Sequence, residues 1–262
     1  MNRTLAAAPS VAVRAAHRDV QPDDDRRVAV TPTTTNLVLI GPPGAGKGTQ
    51  AARLARFLGV PTISTGDMLR RAVQSGSAVG RAVKAVMERG ELIADAVMTE
   101  IVAARLNEPD TQSGFVLDGF PRTVEQAIAL DGLLERRGDL IAVELAVPES
   151  AIVRRLSQRR VCERCGRNAD PVAGNGAPQE GTGVRSAHPM FCACGGALQQ
   201  RSDDTETVIR ERLRAYERAT RPLLDFYRQR RALRAIDGTQ APDLVMAQIA
   251  RAIDAVFDHA AS

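Results

Sequence analysis

Aromatic residues are scarce in this sequence of 262 residues, which has no tryptophan, two tyrosines and six phenylalanines. This scarcity predicts a core built from valine, leucine, isoleucine and alanine. It also argues against a protein that binds single-stranded nucleic acid, because such proteins stack bases on aromatic side chains. The formal net charge of +4 suits small phosphate-rich ligands and does not by itself indicate nucleic acid.

Long apolar segments are also missing. No stretch is long and apolar enough to span a membrane, and residues 1–35 lack the apolar centre of a secretory signal peptide. We expect residues 1–35 to be a disordered extension, or to precede the true start of translation. A transit peptide is the alternative, but the three aspartates at 23–25 are unusual for one.

Lysine is rare, since only Lys47 and Lys84 occur among 35 basic residues, and Lys47 lies in a glycine-rich motif. This motif, Gly41-Pro-Pro-Gly-Ala-Gly-Lys-Gly-Thr49, follows an apolar segment and precedes one with helical spacing. Strand, glycine-rich turn, Gly-Lys and helix together are typical of a phosphate-binding loop, whose backbone N–H groups and compact ammonium bind phosphate oxygens. Gly48 stands where many such loops have serine or threonine, which favours kinases of small nucleotides over GTPases and many ATPases.

Strands alternate with helices along the rest of the chain. Five apolar segments predict strands, at about 36–40, 61–63, 114–118, 140–147 and 233–236. Alternation of this kind predicts an α/β fold of the P-loop kinase type, with a five-stranded parallel sheet and helices on both faces. The longest predicted helix covers 205–231 and is kinked at Pro222. Residues 161–200 are rich in glycine, proline and cysteine and have no periodicity, which indicates a separate small insert.

Four further motifs are Ser64-Thr-Gly-Asp-Met-Leu-Arg70, Leu117-Asp-Gly-Phe-Pro-Arg122, Arg201-Ser-Asp-Asp204 and Asp237-Gly-Thr239. With the glycine-rich loop, they make the chain resemble adenylate kinases of the long, lid-containing type, over about residues 36–258. The domains implied by the resemblance are an extension (1–35), then a kinase domain (36–258) with a core (36–63, 94–157 and 205–258), a helical AMP-binding segment (64–93) and a lid insert (158–204).

The resemblance implies Mg²⁺-dependent, reversible phosphoryl transfer from ATP to AMP, giving two ADP. The nucleophile is a phosphate oxygen that is already anionic at neutral pH, so the reaction needs no general base. Catalysis then depends on positioning and on charge stabilisation by fixed cations. The catalytic residues implied are Lys47, Arg122, Arg155, Arg159, Arg201, Arg212 and Asp118, of which Asp118 holds Mg²⁺ through water.

Each nucleotide has its own set of implied residues. The ATP-binding set is Gly44, Ala45, Gly46, Lys47, Gly48, Thr49, Arg155, Arg159 and Gln240. The AMP-binding set is Thr65, Arg70, Leu92, Ile93, Gly119, Arg122, Gln126, Arg201 and Arg212. Gln126 is expected to recognise the adenine edge. Asp203 and Asp204 are expected either to cap the following helix or, as the resemblance implies, to serve lid closure.

The insert contains all four cysteines, Cys162, Cys165, Cys192 and Cys194. Four thiolates can form a tetrahedral zinc site, and a small insert without a hydrophobic core needs such a crosslink. Some lid-containing adenylate kinases have zinc there, but the second pair is spaced C-x-C instead of C-x-x-C. An empty site and a disulfide therefore remain alternatives, and His188 is a possible substitute ligand.

The expected partners are ATP, AMP and ADP, with no nucleic acid and no membrane, and the resemblance implies a monomer in the cytoplasm. A kinase for UMP, CMP or GMP is the main alternative. A nucleic-acid-binding protein that uses the cysteine insert as a zinc ribbon, and a catalytically weakened homologue, are the others.

Overall fold

The computed structural model of the protein describes residues 34–166, 168–169, 191–201 and 203–260. The predicted extension 1–35 lies outside the described residues up to residue 33, and so does His188. In chain order the strands of the described residues are β1 (Thr35–Ile40), β2 (Thr62–Ser64), β3 (Gly114–Asp118), β4 (Leu140–Ala146), β5 (Arg160–Cys162), β6 (Asn168–Ala169), β7 (Leu198–Gln199) and β8 (Leu233–Asp237).

The α-helices of the same residues are α1 (Lys47–Leu58), α2 (Thr65–Gln74), α3 (Ala78–Arg89), α4 (Asp95–Leu106), α5 (Val124–Leu134), α6 (Glu149–Gln158), α7 (Glu206–Ala215), α8 (Pro222–Gln229) and α9 (Pro242–Ala260). None of these described helices has the length and apolar character needed to cross a membrane.

Five strands form one parallel sheet in the order β2-β3-β1-β4-β8, which confirms the predicted fold. The central strand β1 is buried at every position because helices cover both faces. Successive residues of a strand point to opposite faces, so Val38 and Ile40 join one apolar core while Leu37 and Leu39 join the other.

The two cores differ in composition. The core that contains Leu37 is aliphatic, as predicted. The other core contains Phe115, Phe120, Phe226 and Tyr227, so the prediction of a wholly aliphatic interior is wrong on that face. Four of the eight aromatic residues of the chain lie in this core, where each buries a large apolar ring.

The predicted helix over 205–231 is interrupted. After α7, residues Tyr216–Thr220 form a π-helical turn, and Pro222 is the first residue of α8. Proline has no N–H to donate and its ring collides with the preceding turn of an α-helix. The wider turn solves this problem, because the Arg221 N–H donates to the Tyr216 carbonyl at 2.9 Å. A π turn therefore interrupts the helix directly before Pro222, where the sequence predicts a kink.

The insert after α6 contains a small antiparallel sheet in the order β6-β5-β7. The sequence did not predict these strands, since two or three residues are too few to show a period. The sheet brings the Cys162–Cys165 turn next to the Cys192–Cys194 turn, and the Glu163 N–H donates to the Ala197 carbonyl at 3.0 Å.

Two helical glycines allow the packing of α2 against α3 to be tested. A Cβ at Gly80 would overlap the Ala72 carbonyl group, whereas a Cβ at Gly132 in α5 would meet no described atom within 4 Å. Alanine is the better helix former at both positions by about 0.5–1 kcal/mol. We expect Gly132→Ala to raise the free energy of unfolding by about that amount. Gly80→Ala should lower it by more than about 1 kcal/mol, because overpacking outweighs propensity.

Urea unfolding of both variants and of the unchanged protein measures these two effects. The pair controls for helix propensity, so equal and stabilising effects of both substitutions would contradict the close approach of α2 and α3 at Gly80.

Candidate active site

The glycine-rich loop between β1 and α1 leaves the N-terminus of α1 open. Gly46 precedes α1 with φ 96°, Gly44 has φ 80°, and α1 has no side-chain cap and no acidic residue in its first turn. The unpaired N–H groups of a helix N-terminus and its partial positive charge attract anions. The predicted ATP-binding residues Gly44, Ala45, Gly46, Lys47, Gly48 and Thr49 therefore form one continuous segment suited to phosphate.

The Lys47 ammonium lies within this loop. Its Nζ donates to the carbonyl oxygens of Gly41 at 2.8 Å and Pro42 at 3.0 Å. Burial lowers the pKa of Lys47 to about 8; the carboxylate of Asp118 opposes this shift, and the positive charge of Arg122 adds to it. A bound polyanion would favour the charged form of Lys47 and so offset both the cost of burial and the repulsion.

Asp118 ends β3 beside the loop. The sheet register pairs it with Leu39 of β1 and Ser64 of β2, so three strand ends meet there. A Cβ on Gly48 would lie 3.3 Å from Asp118 Oδ2, which gives a physical reason for glycine at position 48. Carboxylate oxygen is a ligand that Mg²⁺ prefers. The carboxylate of Asp118 therefore has suitable chemistry for a Mg²⁺ that accompanies phosphates in the loop.

A second group of polar residues lies across from the loop. Arg70, one turn into α2, forms an ion pair with Asp67, and Arg122 Nε donates to the Gly119 carbonyl at 2.8 Å. Gly119 has φ 86°, and a Cβ there would lie 2.7 Å from Thr65 Oγ1 and 3.2 Å from Arg122 Nη2. Glycine at 119 thus allows Thr65 and Arg122 to approach each other.

A single cleft joins the loop to this group. Lys47 lines it together with eight of the nine predicted AMP-binding residues, namely Thr65, Arg70, Leu92, Ile93, Gly119, Arg122, Gln126 and Arg212. Arg201, the ninth, is not among the lining residues.

Several lining residues were not predicted: Gly66, Leu69, Met87, Gly90, Met98, Tyr216 and Thr220. Gly66 and Leu69 lie within the 64–70 motif, which is a signal for them. Met87 and Met98 look like ordinary apolar helix residues, and nothing in the sequence distinguishes Tyr216 and Thr220 before the π turn is known.

Three arginines at the two ends of the insert share two aspartates. Asp204 is fully buried, and its carboxylate accepts hydrogen bonds from Arg159 Nε at 2.7 Å and from Arg159 Nη2 at 2.5 Å. Asp203 Oδ2 forms an ion pair with Arg212 Nη1 at 3.1 Å, and Asp203 Oδ1 lies 3.5 Å from Arg201 Nε. Ion pairs with two adjacent aspartates thus connect Arg159 at the start of the insert with Arg201 and Arg212 at its end.

Burial and mutual repulsion both shift the pKa values of the charged side chains in this region. It lowers the pKa of Arg122, Arg201 and Arg212, and Arg70 lowers all three further, but a guanidinium stays charged at neutral pH. Burial alone would raise the pKa of Asp203, but its arginine neighbours outweigh this and hold the pKa below its usual range. The region therefore carries a dense, fixed positive charge.

Arg155 and Gln240, both predicted ATP-binding residues, lie together in another place. Arg155 Nη2 donates to the carbonyls of Gly238 at 2.9 Å and Thr239 at 3.4 Å, and Gln240 Nε2 donates to Asp237 at 3.2 Å. Gln240 therefore belongs to the loop after β8, and Arg155 contacts that loop from α6. Neither lines the cleft described above.

The four cysteines of the insert converge despite the C-x-C spacing. Their sulfur atoms all lie within 4.8 Å of one another, with Cys162 and Cys194 3.4 Å apart and Cys165 and Cys192 3.6 Å apart. No disulfide joins them. Zinc–sulfur bonds of about 2.3 Å in a tetrahedron place sulfurs roughly 3.8 Å apart, so this group fits a zinc ion.

Comparison with known proteins agrees with the resemblance that the sequence motifs show. A family profile described as adenylate kinase matches residues 39–232. An adenylate kinase of Archaeoglobus fulgidus is 45% identical over 207 residues, which are 78% of this chain and 91% of the relative. One of Moorella thermoacetica is 45% identical over 220 residues (83% and 97%), and one of Kosmotoga olearia is 43% identical over 217 residues (82% and 96%).

The lowered pKa of Lys47 predicts that binding of ATP phosphates beside it is coupled to proton uptake. With a pKa of about 8, much of Lys47 is neutral at pH 8.5 before binding, and phosphate favours its charged form, so the pKa rises. We expect the protein to take up roughly half to one proton per site when ATP binds at pH 8.5. Calorimetric titration in buffers of different ionisation enthalpy measures this uptake.

Lys47→Arg is the matched variant, since guanidinium is charged throughout this pH range. It should bind ATP without the uptake. Undiminished uptake by this variant would assign the proton to another group.

Proposed function

Because this chain belongs to the adenylate kinase family, and so transfers a phosphoryl group reversibly from ATP to AMP to give two ADP, we propose how its cleft performs that reaction. One observation carries the proposal. Cations from separate segments (Lys47, Arg70, Arg122 and Arg212) line a single cleft beside an uncapped helix N-terminus and act on one another electrostatically. Arg159 does not line the cleft, but its charge acts on Lys47 and Arg212.

The phosphates of ATP bind to the loop 44–49. The N–H groups of the first turn of α1 face them, and Lys47 exchanges its carbonyl partners for the terminal phosphate oxygens. The adenosine of ATP lies toward Arg155 and Gln240, which the loop after β8 holds together.

AMP binds in the opposite half of the cleft. Arg70 and Arg122 hold its phosphate, and bidentate guanidinium geometry fits two phosphate oxygens. Thr65 and Gly119 contact the nucleotide, and the partly buried side chain of Ile93 packs on the adenosine beside Leu92. Gln126 recognises the adenine edge.

Transfer needs no general base, because the attacking oxygen of AMP is already ionised. Arg122, Arg159, Arg201 and Arg212 stabilise the charge of the transferring group, while Lys47 stabilises the donor phosphates. Ion pairs with Asp203 and Asp204 orient Arg159, Arg201 and Arg212 before the nucleotides arrive. Phosphate oxygens then compete with these aspartates for the same guanidinium groups.

Mg²⁺ bound with ATP would neutralise part of the phosphate charge. The carboxylate of Asp118, which lies beside Gly48 of the loop, would hold this ion through water molecules. The insert 158–204 acts as a lid, the segment 64–93 binds AMP, and the segments 36–63, 94–157 and 205–258 form the core. Closing the lid excludes water, which would otherwise accept the phosphoryl group.

Zinc bound by Cys162, Cys165, Cys192 and Cys194 would be a structural element of the lid. The sulfur positions support it, because they converge despite the C-x-C spacing of the second pair, in a turn in which the Gly195 N–H donates to the Cys192 carbonyl at 2.8 Å. The family resemblance further suggests a monomer in the cytoplasm.

The reaction is tested by mixing the protein with Mg²⁺, ATP and each nucleoside monophosphate and measuring ADP. We expect rapid ADP formation with AMP. Lys47→Met should lower kcat by about 10³-fold, since the fixed charge on the phosphates is lost. Lys84→Met is the matched control, because the other lysine of the chain is exposed on α3 beside Glu88 and should leave kcat unchanged.

Equal or better use of UMP, CMP or GMP would keep the phosphate residues but contradict the proposed roles of Thr65 and Gln126. Failure with every monophosphate would contradict the mechanism.

The zinc site is tested by metal analysis of the purified protein. We expect one zinc per chain, and Cys192→Ser should weaken zinc binding at least about tenfold, because a thiolate ligand is lost. Competition with a chromogenic chelator measures the affinity, and the thermal unfolding midpoint should fall with zinc removal. Zinc-free protein in which thiol titration finds no reactive thiol would instead indicate disulfides.

A further inference from the structure

The side-chain amide of Gln126 is anchored at both ends. Its Oε1 accepts the Arg122 main-chain N–H at 2.7 Å, and its Nε2 donates to Asp95 Oδ1 at 2.7 Å. The other oxygen of Asp95 accepts the Thr123 hydroxyl at 2.9 Å. Gln126 is almost fully buried, yet it lines the cleft. Asp95 lies outside every motif of the sequence described above.

These contacts fix which way the amide faces. A main-chain N–H can only donate, so the Gln126 oxygen must face Arg122. A carboxylate can only accept, so the Gln126 nitrogen must face Asp95. Thr123 is held in turn, because its hydroxyl accepts the Gln126 main-chain N–H at 3.1 Å as the N-cap of α5 and donates its own proton to Asp95. A flipped amide would place its nitrogen, a donor, against the Arg122 N–H and its oxygen, an acceptor, against the Asp95 carboxylate.

One hydrogen of Gln126 Nε2 is not used by Asp95. The described part of the chain offers it no acceptor within hydrogen-bonding distance, and the residue lines the cleft. A single fixed donor at a base-binding site distinguishes purines by N1. Adenine N1 accepts a hydrogen bond, whereas guanine and hypoxanthine carry a hydrogen on N1 and would oppose donor to donor.

We infer that Asp95 is a positioning residue that sets the orientation of Gln126 and thereby the preference for AMP over 6-oxopurine monophosphates. The inference rests on the proposed role of Gln126 in AMP binding and adds the residue that enforces it. Because the oxygen of the same amide binds the Arg122 main chain, the contact with the base is tied to the segment that holds the AMP phosphate.

The experiment compares AMP, IMP and purine riboside 5′-monophosphate as acceptors, by kcat/KM with saturating ATP. Purine riboside monophosphate keeps the N1 acceptor but lacks the 6-amino group, so it isolates recognition of N1. We expect Asp95→Ala to raise KM for AMP and purine riboside monophosphate roughly tenfold and to reduce discrimination against IMP by a similar factor. KM for ATP should stay within about twofold, which also controls for folding.

Asp95→Asn is the conservative variant. Asparagine keeps one oxygen to accept from Gln126 and can donate its N–H to the Thr123 hydroxyl, so discrimination should remain close to that of the unchanged protein. Gln126→Ala should lose discrimination as Asp95→Ala does. The double variant Asp95→Ala/Gln126→Ala should be no worse than Gln126→Ala alone, since Asp95 acts through Gln126.

A second double variant, Asp95→Asn/Gln126→Glu, reverses the pattern. The carboxylate introduced at position 126 still accepts from the Arg122 main chain, and the amide introduced at position 95 can donate to it. The same carboxylate presents an acceptor to N1, so the preference should shift toward IMP, a gain that damage to the fold cannot produce. Absence of any shift toward IMP would overturn the inferred orientation.

The remaining outcomes separate the inference from its premise. Loss of discrimination in Gln126→Ala with full discrimination in Asp95→Ala would overturn the role of Asp95 and leave Gln126 as the reader of the base. Full discrimination in Gln126→Ala would overturn the proposed role of Gln126 itself. A further loss from Asp95→Ala in the Gln126→Ala background would overturn the inference in another way, because Asp95 would then act independently of Gln126.

Discussion

Repulsion among the basic side chains of one partly buried cleft is the constraint on which the rest of this structure depends. Two like charges 8 Å apart repel by about 2 kcal/mol at an effective dielectric constant of 20, and Lys47, Arg122 and Arg212 repel one another in this cleft. Carboxylates offset this cost in the absence of nucleotide. Arg159 is paired with Asp204, Arg212 with Asp203, and the charge of Lys47 is balanced in part by Asp118.

The same constraint explains why the cations come from separate segments. Lys47 is fixed by loop carbonyls, Arg122 by the carbonyl of Gly119, and Arg159 by a buried aspartate, so each is oriented by its own local contacts. None depends on another cation for its position. A phosphate therefore has to replace only contacts that each cation makes separately, namely the loop carbonyls at Lys47 and the ion pairs of Arg159 and Arg212.

Much of this could be predicted from the sequence, because periodicity and motif spacing are local signals. The parallel sheet, the glycine-rich loop and most of the cleft arginines follow from them. Contacts between distant residues could not be predicted in this way. Composition counts the aromatic residues but does not tell that Phe115 and Tyr227 share one face of the sheet. Nor does it show that the chain avoids the clash at Pro222 by widening the preceding turn.

The two ends of the AMP half of the cleft illustrate the difference between charge and direction. Attraction between phosphate and guanidinium falls off slowly with distance and tolerates small displacements, so residues such as Arg70 can be recognised from a motif alone. A neutral amide distinguishes one base from another only if its donor points in one direction. In the arrangement that we infer, that direction depends on Asp95, which is 31 positions from Gln126 and looks in the sequence like an ordinary acidic residue at a helix start. Specificity therefore rests on the contact that is least visible in the sequence.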